Sequence, residues 1–544
     1  RSIWVTGVQT CALPIYFLPG FAVGIGGGST GAGWTGQNDS EITIRRCKFS
    51  GCSLAGIAIR GYNALDYWIW DCQFVSCYMG ISVFAGNYHA YRCYFKDSKF
   101  VDFHQSNGYY TSVRWCYSEN SRAFSSDAGQ SCNPFKRIFQ GNTVVDPAEM
   151  PIEFYHLGRL TLFDNEFGQG KNAKHPFTIN QNSWCPGIYS MLTINNKFKS
   201  DQPVRIAPAS KKAYLLNQGS LKTYSNTPAQ FLAGLSPLPL KVNRKIFEIP
   251  AGATSQVIQN IVDKASQLRK RAIVHFPVGE YILDRTIVIP SGSDIQLMGD
   301  GFLYASILAA GPRLPAGKPM ILVNGPSGLA VKDLQLGREG SPFKNPAIVF
   351  ENADQKGARA FLDQLYSLAD TSLYMKNNNY LIVQKQNSFF ADGNYIEGGR
   401  LVQLNLGTSK VLGFGGQFAM LHTEKNAEFI ARDIWWEGNE RIPLDLKGSG
   451  KITIDGAMIA PIKADSLTTI RLNKFDGQVK LLNLYLQGAL EVRPDNPRLQ
   501  LLVWNINFYH KMNPLGFLEN RSASYKALAI GCTAQCFEIG RAHV

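Results

Sequence analysis

Charge is scarce in this chain, and so are the motifs that usually announce a function. Only 18% of its 544 residues are Asp, Glu, Lys or Arg, which argues against a disordered, charge-rich polymer. No apolar run approaches the ~18 residues of a membrane-spanning helix. Basic residues gather no further than the KKAY and RKR segments, so there is no basic tail and no nucleic-acid partner is expected. A Walker loop, a zinc-protease helix and a nucleophile elbow are all absent, which removes the chemistries those motifs carry.

What is present points to β-structure with many tight turns. Aromatics make up 12% of the chain and there are 51 glycines, a mixture suited to strands and corners. The length exceeds one ordinary core, so two or more domains are expected. The formal charge of +14 favours an anionic partner, with a merely solvated basic surface as the alternative.

The extreme ends read differently from the rest. Back-translated, Val5–Ile15 and Glu538–Val544 fit the two strands of a common short-read library adapter. Residues 1–15 and 538–544 are therefore expected to be translated sequencing adapter, flanking a metagenomic fragment whose N-terminal targeting region is missing.

Between them runs an internal repeat. The segments RRCKF, WDCQF, YRCYF, RWCYS, QGNTV, DNEF and NNKF share one position: Cys47, Cys72, Cys93, Cys116, Asn142, Asn165 and Asn196. The steps of 25, 21, 23, 26, 23 and 31 residues match one coil of a parallel β-helix with loops of varying length. A second ladder, Cys52, Cys77, Ser98 and Ser121, lies five residues on. Eight of the 11 cysteines lie between Cys47 and Cys185, and the ladder spacing favours stacked, buried thiols over metal pairs or disulfides. No metal site is expected from them. The predicted first β-helix covers 16–206, and the Pro-rich stretch 207–245 is expected to be a linker or cap.

A second domain is expected over 246–537, opened by an amphipathic capping helix over 254–270. Val257, Ile258, Ile261, Val262, Ala265 and Leu268 would share its apolar face, with Thr254 or Ser255 at its start. Strand-turn units then run to about residue 510. The whole chain is thus expected to be all-β, as two tandem parallel β-helix solenoids.

Thr254–Gly301 resembles the opening of the pectin-lyase-like superfamily, in its rhamnogalacturonase/epimerase-type pectate-lyase domain. The carriers are the helix, then Val274, Phe276, Pro277, Gly279, Tyr281 and Leu283, then the Ile-Pro-Ser-Gly and Gly-Asp-Gly turns. This resemblance implies a right-handed β-helix and an extracytoplasmic polysaccharide-degrading enzyme, either a glycoside hydrolase or a polysaccharide lyase. No organic cofactor is implied, and calcium only for a lyase. A non-catalytic carbohydrate-binding or adhesion solenoid, such as a phage tail spike, is the alternative. The Asp-x-Asp, Asp-Asp, Gly-His-Gly and Arg-x-Lys motifs of the polygalacturonase-type hydrolases are missing, as is the Arg-x-x-Pro-x-x-Arg of calcium pectate lyases.

The repeat also yields candidate site residues. Strict alternation along the second strand of each coil sends one column outward: Ala58, Ser82, Asp102, Ser125, Glu153, Thr178 and Arg205. Its neighbour reads Arg60, Phe84, His104, Asp127, Tyr155 and Asn180. Asp102, Asp127 and Glu153 are the expected catalytic carboxylates, about 8 Å apart on the diagonal, with His104 tuning one of them. Elimination would instead use His104, Tyr155 and Arg205. Phe84, Tyr155, Tyr109 and Tyr110 are expected to stack on sugar faces, and Arg205 to contact substrate. In the second domain Trp436 and Glu437 are expected as a further sugar contact beside Trp435 and Glu440.

Overall fold

The computed structural model describes residues 21–25, 42–206, 213–235 and 243–534. Loops within them, among them 60–66, 84–85, 106–109, 128–135, 155–158, 180–189, 352–358 and 405–419, lie outside the description. The expected adapter segments 1–15 and 538–544 also lie outside it. The chain is nearly all β and divides into two compact units, Arg1–Lys241 and Val242–Val544.

In the first unit every strand pairs in parallel with its counterpart one coil away, giving three sheets of eight strands. The first sheet runs from Phe21–Ile25 through Ala55–Ile59, Met79–Val83, Val101–Gln105, Ser125–Asp127 and Ile152–Phe154 to Val204–Ile206. The second runs from Thr43–Arg45 to Ala213–Leu216, and the third from Lys48–Ser50 to Gly219–Ser220. The solenoid therefore continues into the stretch expected to be linker. Ala213–Leu216 pairs with Ser190–Ile194, and Gly219–Ser220 with Lys197–Phe198, closing one more coil. A short helix, α1 (Pro228–Gly234), follows behind a Thr227–Gln230 capping box. It lays Phe231 on Tyr117 and Tyr94, with ring centroids 5.2 and 6.3 Å away.

The turn from the second sheet to the third is made by a single left-handed residue in each coil. These are Arg46, Asp71, Arg92, Trp115, Gly141, Asp164, Asn195 and Asn217, with φ between 47° and 62°. Each immediately precedes a ladder residue. The ladder is stacked as the repeat predicts: Cys47, Cys72, Cys93 and Cys116 are buried free thiols. Asn142 takes over, its Oδ1 accepting from the Cys116 amide at 2.9 Å. Asn142 Nδ2 then donates to Asn165 Oδ1 at 2.9 Å, and Asn165 Nδ2 to Asn196 Oδ1 at 2.8 Å. Every amide in this ladder is satisfied by the coil beside it, as a buried polar column requires.

One inward position decides where Asp102 goes. On the third sheet Phe49, Phe74 and Phe95 stack with centroids 5.0 and 4.8 Å apart. Each ring reaches the first sheet, where a Cβ on Gly56 would lie 2.7 Å from Phe74 and one on Gly80 would lie 2.6 Å from Phe95. In the next coil Ser118 stands in register with Phe95, and the vacated volume takes the Asp102 side chain. Ser118 Oγ donates to it at 2.5 Å and Ser121 Oγ at 2.7 Å. Asp102 is thus buried, contrary to its expected exposure. The register skips it, passing from Val101↔Met79 to Phe103↔Ile81, so strict alternation does not hold there.

The second unit repeats the device along longer strands. Gly328–Leu336, Arg359–Ser367 and Glu428–Gly438 bend without breaking at left-handed Asp333, Gln364 and Asp433. Asp455, Asn483 and Asn505 form a polar ladder, with amide-to-oxygen distances of 2.8 and 2.9 Å. The opening helix, α2 (Ser255–Gln267), starts at N-cap Thr254. It ends earlier than expected because Arg269 and Arg271 are left-handed, with φ of 49° and 48°. Ile258, Val262 and Ala265 are buried, whereas Val257 and Leu268 are exposed, so the apolar face is narrower than the sequence suggests. Polar side chains of α2 complete the first coil's edge. Gln259 accepts from the Val288 amide at 2.7 Å and donates to the Val288 carbonyl at 2.8 Å, and Ser255 Oγ accepts from the Asp284 amide at 2.9 Å. This cap satisfies groups that an open solenoid end would expose.

Burial raises the Asp102 pKa to about 7, against the lowering effect of its serine hydrogen bonds. A carboxyl raised in the folded state stabilises fully below its unfolded value near pH 4, and that contribution is lost as pH rises through about 7. Denaturant midpoints of the wild type should fall across this range, by on the order of 4 kcal/mol in stability. The D102N variant should show a flatter profile and exceed the wild type in stability at pH 8. Parallel profiles would mean that Asp102 is not held in this buried pocket.

Candidate functional site

The outward column of the first sheet differs from the expected one at two coils. The register runs Ala58↔Ser82, Ser82↔His104, His104↔Ser126, Ser126↔Glu153, Glu153↔Thr178 and Thr178↔Arg205. His104 therefore replaces Asp102, and Ser126 replaces Ser125. Asp127 pairs with Phe154 rather than joining Glu153 or Tyr155. The bend at Asp102 accounts for the first change. The second follows because Ser125 lies opposite inward Phe103.

This column is buried at Ala58, Ser82 and Ser126 and opens at His104 and Glu153. His104 and Glu153 stand two coils apart, roughly 10 Å at the usual strand spacing. Ser82 Oγ lies 3.4 Å from His104 Nδ1. From His104 to Arg205 the polar column spans four steps, roughly 19 Å.

Beside it sits a group that the repeat alignment did not single out. Tyr78 stacks on Phe100 at 5.5 Å, and the Phe100 ring lies 6.1 Å from that of His104. The Arg122 guanidinium lies 5.2 Å from the Phe100 centroid and is held by Glu149 through contacts of 2.9 and 2.7 Å. A single aromatic ring is thus flanked by a cation and an imidazole. Lys-Phe and Arg-Ala following the Ser98 and Ser121 ladder positions were the available signal, but corner residues have no fixed periodicity.

The remaining candidates fare unevenly. Tyr110 is buried against His89, with centroids 5.4 Å apart, so it presents no face to a sugar. Phe84, Tyr109, Tyr155 and Glu440 lie outside the described residues. The backbones of Asp127, Arg205, Trp435, Trp436 and Glu437 are described, with Trp436 opposite Ile459 and Glu437 opposite Ala460, but their side chains are not. Among the described residues no group of three or more His, Cys, Asp or Glu could hold a metal ion. No described helix is long and apolar enough to cross a membrane.

A second titratable cluster lies in the second unit and was not anticipated. Glu248 and His275 are neighbours in register. His275 Nδ1 lies 2.6 Å from Glu248 Oε2, and Nε2 lies 3.0 Å from Asp300 Oδ1. Asp300 Oδ2 also accepts from the Val278 amide at 2.9 Å. Burial alone would lower the His275 pKa, but hydrogen bonds and charge from Glu248 and Asp300 outweigh it and raise it. The imidazolium ties the edge strand Ile246–Glu248 to the Gly-Asp-Gly turn. Because the folded pKa is raised, this stabilisation is complete below the ordinary histidine value and is lost as pH rises through the folded one. Between about pH 6 and pH 9, the melting temperature of the wild type should fall more steeply than that of H275Q. Equal slopes would remove the clamp.

No protein-family model matches the chain, and no curated protein matches it. Among solved structures it is similar to the PL6 family alginate lyase AlyGC. An arginine-to-alanine mutant of that lyase aligns with a TM-score of 0.24, and AlyGC itself with 0.18. Both alignments show 9% identity and cover 87% of this chain and 88% of the lyase. Likeness at this level bears on neither substrate nor mechanism.

Proposed function

We propose that the chain is an extracytoplasmic polysaccharide-degrading enzyme of the pectin-lyase-like type, acting on an acidic polymer along the outer face of the first sheet. The observation that carries this reading is the opening of the polar column at His104, with the Phe100–Tyr78 stack and Arg122 beside it. The length of the column suits a polymer better than a small molecule. The net charge of +14 favours an anionic one.

Elimination fits these residues better than hydrolysis. Hydrolysis by paired carboxylates needs two of them facing one bond, and Asp102 is withdrawn into the interior. In elimination, His104 would take the proton from the carbon next to a uronate carboxylate. The C–O bond to the next sugar then breaks, a C=C bond forms, and the departing oxygen takes a proton from solvent water, while His104 later gives up the proton it gained. Arg122 would offset the uronate charge, its guanidinium stacked on Phe100. Glu153 and Arg205 would bind sugars further along.

A panel of uronate-rich and neutral polysaccharides tests this. Ultraviolet absorbance of unsaturated ends reports elimination, and new reducing ends without that absorbance report hydrolysis. Cleavage of a uronate polymer with unsaturated products is expected, with a loss of about 100-fold or more in H104A and a smaller loss in E153Q. Full activity in H104A would refute the assignment. Binding without any cleavage would make the protein a non-catalytic carbohydrate-binding solenoid.

A further inference from the structure

The segment that leaves the last coil of the first unit turns back over the solenoid it has just completed. Leu221 is buried, and its amide donates to the Phe198 carbonyl at 2.7 Å. From there the chain runs along the outer face of the third sheet. Register places Tyr94, Tyr117, Thr143, Glu166 and Lys197 in one row on that face. Ser225 meets Glu166, and Phe231 of α1 meets Tyr117 and Tyr94. Both tyrosines are buried although they stand on the outer side of the sheet.

This strap has a fitted seat but a light hold. The Tyr224 hydroxyl donates to Asp146 Oδ1 at 3.3 Å, with the Lys199 ammonium 5.4 Å from the ring centroid. A Cβ on Gly168 would collide with that hydroxyl, so the glycine leaves room for it. The Ser225 amide donates to Glu166 Oε2 at 2.7 Å. Yet no residue of α1 is buried, and it has only seven residues, too few for a helix stable by itself. The floor takes no polar support from the strap. Tyr94 donates to Glu119 at 2.5 Å, and Lys96 pairs with Glu119 at 3.0 Å. The two carboxylates that the strap does use keep lysines of their own: Asp146 pairs with Lys199 at 2.9 Å and Glu166 with Lys197 at 3.2 Å. Lifting the strap therefore strands neither carboxylate, which would otherwise be the large cost of breaking these contacts.

We infer that residues 222–235 are a strap that opens and closes over the Tyr94–Tyr117 pair as one unit, while the coils beneath stay folded. Exposed Lys222 and Thr223 are the hinge, next to anchored Leu221. Closed, Phe231 shields the two rings, which stack with centroids 6.0 Å apart. Open, the same rings form an aromatic shelf on the outer face, edged by Lys96 and Glu119 and already held in shape by their hydrogen bonds. Segments with few buried apolar contacts are the ones that open below global unfolding. The strap thus gates a face of the solenoid on a different sheet from His104.

Native-state hydrogen exchange on the full chain tests this. The reporters are the strap amides of Ser225, Gln230 and Phe231, which are hydrogen-bonded when it is closed, and the amides of Tyr94 and Tyr117 in the strands below. The strap amides should exchange about 100-fold faster or more, with almost no dependence on added denaturant. Phe231→Ala should speed exchange at Ser225 roughly tenfold, because the strap moves as one unit, and should leave the melting temperature within about two degrees. Tyr224→Phe removes only a hydroxyl and should speed exchange at Phe231 in turn. It keeps the test decisive should Phe231→Ala disturb the tyrosines. Strap amides that exchange only with global unfolding would overturn the inference. So would Ser225 and Phe231 responding separately, or the strap opening together with the strand Ala213–Leu216, which would make it a fraying end. None of these readings uses catalysis, so they stand apart from the assignment of His104.

Discussion

Parallel stacking of each coil on the next is the constraint from which the rest of the first unit follows. Every strand must find its hydrogen-bonding partners in the coils above and below. A position facing inward in one coil therefore faces the same position in the next. Side chains are selected as columns rather than singly, because an unpaired buried polar group is costly. The thiol ladder Cys47–Cys116 and the amide ladder Asn142–Asn196 are two solutions to one interior position. Thiols fill the apolar end of the stack, and amides hydrogen-bond to one another where the column becomes polar.

Columns also explain the compensations. Gly56 and Gly80 are small because Phe74 and Phe95 fill the space opposite them, and Asp102 is admitted because Ser118 interrupts that aromatic stack. A carboxylate in this interior is a burden, and the hydroxyls of Ser118 and Ser121 limit the cost. In the second unit the open end of the solenoid is handled differently. Helix α2 supplies Gln259 and Ser255 to the exposed strand edge, and His275 fastens the first strand to the turn beyond. Apolar packing and polar termination thus act on the same coil.

The functional reading depends on departures from these columns. A repeat that needed only to stack would place Asn, Asp or Gly at each left-handed corner, as coils five to eight do. Arg46, Arg92 and Trp115 depart from that pattern, and Trp115 packs its indole over Gly141 at the next corner. On the first sheet the equivalent departure is the opening of an otherwise buried column at His104 and Glu153.

Much of this fold was legible without coordinates. The recurrence of Cys47, Cys72, Cys93 and Cys116, continued by Asn142, specifies coil length and the inward position, because a buried ladder tolerates so few residue types. The helix opening the second unit was legible from its apolar spacing and its Thr254 cap. The extra coil at Ala213–Ser220 was not, since prolines nearby read as a linker and its ladder position is occupied by Gln218. Which residues face outward near the site was decided only in three dimensions. Alternation is a local rule; the pairing skips Asp102 as it skips Gly56 and Gly80 in the coils before it, and the room for its inward carboxylate is left by Ser118, sixteen residues away in the chain. Likewise Glu248, His275 and Asp300 are unremarkable in sequence. They meet because strands separated by whole coils are brought into register, which only the tertiary stack can do.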